Sequence, residues 1–176
     1  MAHSYVIRPA KNQDAPSIAA IHAEVSQEID TQLVPAEFYK PQSAKALLGY
    51  WREAIEFGEP QVLLACEEDA GRIIGFVGFD RSRDAGTKPT VGEIWAIHVL
   101  PEFRNTGAGL ALWDAAREGL IEEGCTQVTV WLPLANEQAL RFHELAGFKR
   151  EANSARTFPV GEFRLEHIRL KRSLEA

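Results

Sequence analysis

Between His98 and Leu110 the chain reads His98-Val99-Leu100-Pro101-Glu102-Phe103-Arg104-Asn105-Thr106-Gly107-Ala108-Gly109-Leu110, which joins an apolar strand to an amphipathic helix through a glycine-bearing turn. Upstream, residues 93–99 carry aromatic and branched side chains suited to a strand, and Pro101 ends it because proline cannot donate to a sheet ladder. Downstream, Leu110, Trp113, Ala116, Leu120 and Ile121 recur at helical spacing, with Gly124 placed to terminate the helix. The free N–H groups of its first turn point along the positive end of the helix dipole. Without side chains at Gly107 and Gly109, a phosphate can approach the main chain closely, and Arg104 adds a guanidinium. The run therefore predicts an anion site between a strand and a helix.

The spacing narrows which anion site. No Gly-Lys-Ser/Thr follows the turn, which excludes a P-loop, and the third glycine of a dinucleotide fingerprint is missing. The turn also lies past the middle of the chain, behind antiparallel strand candidates rather than a series of βαβ units, which disfavours a Rossmann domain. What remains is Val-x-Pro-x-x-Arg-x-x-Gly-x-Gly-x-x-Leu, present as Val99, Pro101, Arg104, Gly107, Gly109 and Leu112. This pattern resembles the acyl-CoA site of the GNAT superfamily of N-acetyltransferases. A second segment, Asn136-Glu137-Gln138-Ala139-Leu140-Arg141-Phe142-His143-Glu144-Leu145-Ala146-Gly147-Phe148, is similar to that superfamily's Asn-x-x-Ala-x-x-Phe-Tyr-x-x-x-Gly-Phe. The residue-level signatures cover about 93–148, and the likeness in element order extends over nearly the whole chain.

The element order supports an α/β (α+β) fold. Residues 5–8 are a strand candidate. Asn12 or Asp14 then caps a helix with the stripe Ile18, Ile21, Val25 and Ile29. Pro35 and Pro41 make 31–41 irregular, and Ala44, Leu47, Leu48, Trp51 and Ile55 form a second helical stripe that ends near Gly58. Strands at 62–66 and 73–79 pair antiparallel through a turn at Asp69-Ala70-Gly71, and the polar loop 81–90 leads into the strand at Glu93. The strand 127–132 is reached through a helical crossover and is expected to run parallel to it. A helix over 136–146, with Asn136 as N-cap and Gly147 at C′, precedes closing strands at 149–153 and 163–170 joined through Pro159-Val160-Gly161. The resemblance implies a mixed, mostly antiparallel sheet with flanking helices. In it the parallel pair splays to admit the pantetheine arm, and Pro133 helps interrupt the pairing.

Bulk properties exclude other classes. A chain of 176 residues suits one domain, 1–176, with no linker to divide it. The formal charge of −6 argues against nucleic-acid binding, and no apolar run is long enough to span a membrane. Cys66 and Cys125 read as buried thiols, and the five histidines show no metal-ligand spacing, so no metal is expected. No signal core stands at the start of the given sequence, from which a cytoplasmic location is the expectation.

The resemblance also implies a chemistry. Acetyl-CoA is the co-substrate and a primary amine the acceptor, with direct transfer and no acetyl-cysteine. Homodimers are common in the superfamily. The backbone of Ile97, His98 and Val99 is expected to meet the pantetheine amides, with the Val99 N–H donating to the thioester carbonyl. Arg104, Asn105, Thr106, Gly107, Ala108 and Gly109 take the pyrophosphate, and Asn136 meets the pantetheine arm or only caps its helix. An alkyl ammonium has a pKa of roughly 10.4, so a base is needed to free the amine. Glu93 is that base or a solvated carboxylate at a strand start, and alternation places it on the face of Trp95, Ile97 and Val99. His143 stands where many members carry a tyrosine that protonates the thiolate, and Thr106 replaces a frequent basic residue. His143 is either a cleft residue or a packing histidine. A second reading is an acyl-CoA-binding or regulatory module with weak catalysis.

Overall fold

A computed structural model describes residues 4–175. Its elements, in order, are β1 (Tyr5–Pro9), α1 (Ala15–Leu33), α2 (Ala44–Phe57), β2 (Gln61–Glu67), β3 (Ile73–Arg81), β4 (Val91–Val99), α3 (Ala108–Glu122), β5 (Gln127–Pro133), α4 (Glu137–Leu145), β6 (Lys149–Arg150), β7 (Arg156–Val160) and β8 (Phe163–Ser173). The strands form one sheet in the order β1-β2-β3-β4-β5-β8-β6, and β7 pairs with β8. All pairings are antiparallel except that of β4 with β5. His3, and with it the start of the N-terminal stretch read above, lies outside the described residues. No helix among the described residues is long and apolar enough to cross a membrane.

Two neighbours on β3 show how the layers are arranged. Successive strand residues point to opposite faces. A side chain added at Gly78 would meet Trp51 of α2, whereas Phe79 packs against Gly119 of α3. Thus α2 lies on one face of the sheet and α3 on the other. α1 joins α2, because His22 of α1 accepts a hydrogen bond from Trp51 Nε1 at 2.9 Å. Trp51, Phe76, Phe79, Leu64, Leu112 and Leu120 are almost wholly buried between these layers.

Several elements differ from the sequence reading. α1 continues past Thr31 to Leu33, because the Thr31 hydroxyl bonds back to the carbonyls of Gln27 and Glu28 inside the helix. Val34, extended before Pro35, stops it. Asp14 precedes α1, but its carboxylate accepts from the Lys11 N–H and from Arg8 rather than from the first turn of the helix. On α3 the buried stripe is Ala108, Leu112, Trp113, Ala116 and Leu120, while Leu110 and Ile121 are exposed. β7 lies in the stretch read as a connection, because its residues show no apolar alternation. Pro159 is tolerated there because β7 pairs only with β8, as an edge strand. The closing strand expected at 149–153 shrinks to Lys149–Arg150.

β4 carries the correction that matters most. Phe79 pairs with Ile94 and Gly78 with Ala96, so Trp95 is an extra residue, a β-bulge. The bulge reverses the parity of the strand beyond it. Phe76, Gly78 and Asp80 share a face of β3, and so their partners His98, Ala96 and Glu93 share that face of β4. Glu93 therefore faces the α1/α2 side and does not lie with Ile97 and Val99.

Packing between the layers is tight enough to reverse an ordinary helix rule. Alanine normally improves on glycine within a helix by about 1 kcal/mol. At Gly119, however, a Cβ would lie 2.7 Å from the Phe79 ring. Gly119→Ala is expected to destabilise the fold by about 1–3 kcal/mol through overpacking, read as a lower urea midpoint. A raised midpoint would show that the layers can part without cost.

Candidate active site

The parallel contact of β4 with β5 covers only Val91–Gln127, Gly92–Val128 and Glu93–Thr129, and the Thr129 hydroxyl donates to the Gly92 carbonyl at its end. Beyond that rung the strands part, four residues before Pro133, so the proline does not cause the opening. The bulge at Trp95 bends β4 away, while β5 stays paired to β8 as far as Pro133. A cavity of about 980 Å³ lies along β4 beyond that rung. Its walls come from β4 at Ile97, His98 and Val99, from the turn at Arg104, Asn105, Gly107 and Gly109, and from α4 at Asn136 and His143. The two segments singled out in the sequence thus face one another across one space. Thr106, Ala108 and Glu93 do not line it.

The turn is built for close approach. Asn105 and Gly107 both have positive φ, at 60° and 91°, and a side chain at Gly107 would project into open space. Gly109 is required for another reason, because a Cβ there would sit 3.1 Å from Phe142 of α4. Thr106 donates to the Phe103 carbonyl at 2.5 Å and so must accept from the Tyr5 hydroxyl at 2.6 Å, which fixes the turn to β1. Ala108, buried, begins α3. Arg104 holds Glu28 of α1 through both terminal nitrogens, at 2.5 and 3.0 Å. Asn136 caps α4, its side chain accepting from the Ala139 N–H at 3.2 Å.

His143 is 3% exposed and also lines the cavity, so it is a packing residue and a cleft residue at once. Its Nδ1 lies 2.8 Å from the Ala139 carbonyl oxygen. A carbonyl only accepts, so Nδ1 carries the hydrogen and Nε2 presents a lone pair. Burial holds its pKa below the usual histidine range, only partly offset by that hydrogen bond. The neutral ring can therefore accept a hydrogen bond from a thiol but has no proton to give a thiolate.

Glu93 is 1% exposed, which overturns the solvated alternative. Its Oε1 accepts from the Arg83 N–H at 2.9 Å and its Oε2 from the Arg83 guanidinium at 2.5 Å. That guanidinium lies 4.2 Å over the Trp95 ring. The neighbouring Asp84 accepts from Trp131 and Arg169, which anchors the loop carrying Arg83.

Sequence separation hid several further wall residues. Val25 and Ile29 of α1 border the cavity but read as core, and Arg141 of α4 occupies a variable position of the second motif. Across the sheet face, His22 stacks on His98 with ring centroids 5.2 Å apart at 24°. Burial, with His22 and Arg104 nearby, pushes the His98 pKa down to about 3. No group of three or more metal-ligating side chains occurs among the described residues. Cys66 and Cys125 are both buried and border no part of the cavity.

Comparison with known proteins bears on this arrangement. The model of the Acetyltransferase (GNAT) family matches residues 26–148. A mycothiol acetyltransferase of Kocuria rhizophila is 31% identical over 114 residues, which are 62% of this chain and only 38% of that protein. YuaI of Bacillus subtilis, an uncharacterized N-acetyltransferase, is 25% identical over 166 residues, 93% of this chain and 90% of its own length. Among solved structures, yncA of Salmonella typhimurium, a putative acetyltransferase with its cofactor acetyl-CoA, superposes with a TM-score of 0.73 at 20% identity, covering 97% of this chain and 94% of that one.

One buried and three half-buried imidazoles give the fold a pH signature. Burial is the first cause of lowered pKa at His22, His98, His143 and His167. In the unfolded chain each binds a proton near pH 6.5. Between that value and its lower native pKa, the unfolded state holds a proton that the native state lacks. Stability is thus complete above about pH 6.5 and falls as pH drops through each histidine's window. For His98 the window runs down to about 3. A urea midpoint that falls between pH 7 and 5, with a shallower fall in His98→Asn, is the expected result. An unchanged midpoint would contradict it.

Proposed function

Since this chain belongs to the Acetyltransferase (GNAT) family, we propose that it acts as one N-acetyltransferase domain that transfers an acetyl group from acetyl-CoA directly to a primary amine. The observation that carries this reading is the cavity along the stretch of β4 that no longer pairs with β5, walled on one side by the open turn at Gly107 and on the other by α4. Its donors suit the ligand. The N–H groups at the start of α3 match a pyrophosphate, and the unpaired edge of β4 from Ile97 to Val99 matches the amides of an extended arm. With neither cysteine at the cavity, direct transfer needs no acyl-enzyme.

Acetyl-CoA supplies the thioester. The residues of this chain supply the rest. Glu93, on the α1/α2 face, takes the ammonium proton through water and leaves the amine lone pair for attack. The Val99 N–H donates to the carbonyl oxygen as charge grows there. The amine nitrogen bonds to the carbonyl carbon, the C–S bond then breaks, the nitrogen gives up its second proton to water, and the sulfur, as a thiolate of ordinary pKa about 8.5, leaves without an acid and is protonated from water. His143 Nε2 accepts the resulting S–H. A second reading, an acyl-CoA-binding module, draws on the commitment of both Glu93 oxygens to Arg83.

Thiol release from acetyl-CoA with pooled primary amines tests the proposal. Release with one pool is expected, and it leads to the acceptor class. Glu93→Gln should lower kcat by about 10²–10⁴, and His143→Phe by much less. A larger loss in His143→Phe would make the histidine the main proton carrier. Binding without release from any pool would favour the binding module.

A further inference from the structure

Arg104 and Arg141 both border the cavity, yet their charges are placed differently. Arg104 gives both terminal nitrogens to the Glu28 carboxylate, in a pair whose side chains are 21% and 34% exposed. A bidentate guanidinium–carboxylate pair is neutral overall and geometrically closed. With Thr106 at the neighbouring position, the turn then offers an anion its main-chain N–H groups and no uncompensated cationic side chain. Arg141 stands across the cavity on the exposed side of α4, and no ion pair involves it among the described residues.

Glu28 stands on α1 between Val25 and Ile29, both of which form cavity wall. The Arg104 pair therefore ties the fourth turn of α1 to the turn that precedes α3, across 76 residues of sequence. Val25 and Ile29 pack this stretch of α1 against the core, and the ion pair adds a polar link from it to the turn.

We infer that Arg104 is a positioning residue that pins α1 through Glu28, and that the cationic side chain meeting the phosphates of the bound acyl-CoA is Arg141. This rests on the acetyl-CoA reading above. Two consequences separate it from direct phosphate binding by Arg104. Under pinning, Glu28 and Arg104 act as one unit, so removing either has the effect of removing both. Under direct binding, Glu28 competes with the ligand, so neutralising it improves affinity.

The test is calorimetric titration of acetyl-CoA into the wild-type protein, Glu28→Gln, Arg104→Gln, the double variant and Arg141→Gln, each at low and high NaCl. Arg141→Gln should weaken binding about five- to tenfold at low salt, with the difference shrinking at high salt. Glu28→Gln and Arg104→Gln should weaken it by similar factors, with a wild-type salt dependence and a double variant no weaker than either. Tighter binding by Glu28→Gln, with weaker and less salt-dependent binding by Arg104→Gln, would overturn the inference while leaving the acetyl-CoA reading intact. An unaltered affinity in Arg141→Gln would remove Arg141 from the site. No binding by the wild-type protein would defeat the acetyl-CoA reading itself, and this inference with it.

Discussion

β4 and β5 pair over three residues and then separate, and the rest of the molecule is arranged around that separation. A strand that loses its neighbour leaves N–H and C=O groups without partners, a cost that is tolerated only where water or a ligand can meet them. β5 limits its share by staying paired to β8 along its full length. β4 keeps β3 on its other side, so the exposed polar edge is confined to the side that faces the cavity. The opening is thus one-sided and polar, bounded by the apolar packing of α1 on β4 and by Phe142 against Gly109.

The bulge at Trp95 accounts for both the opening and the placement of Glu93. One extra residue turns β4 away from β5 and shifts the parity of the strand, so that its two ends serve different faces. The backbone from Ile97 to Val99 meets the cavity, while Glu93 points towards α2. There the carboxylate is 1% exposed and would be intolerable alone, and Arg83 makes it tolerable by donating from both its main chain and its side chain. The Trp95 ring in turn supports the guanidinium. The carboxylate is therefore held away from solvent by two fixed donors of one residue.

What could be read from the sequence was what neighbouring residues encode. Strand, turn and helix at 93–122, the Asn136 cap and the hairpin of β2 with β3 follow from propensity, from glycine and proline placement, and from periodicity. Each depends on residues only a few positions apart. The bulge could not be read that way, because alternation in β4 is defined by the partner strand, and nothing in Glu93-Ile94-Trp95 marks the residue that goes unpaired. β7 escaped for the opposite reason: as an exposed edge it needs no apolar pattern. The pairs Arg104–Glu28, Glu93–Arg83 and His22–His98 join separate elements, and the residue types at the two ends carry no sign of one another.

This division follows the chemistry of the two sides. A phosphate is held by backbone N–H groups whose geometry a short contiguous run can dictate, so the turn from Arg104 to Gly109 is visible as a motif. On the opposite face the polar groups come from α1, α2, the loop between β3 and β4, and β5, brought together by packing. Arg83, Asp84 and Trp131 belong to a network whose members lie as far apart in sequence as Asp84 and Arg169. Such a surface can be altered one element at a time, since no residue in it belongs to the turn. Glu28 and Arg104 are where that independence ends, because their ion pair joins α1 to the glycine turn.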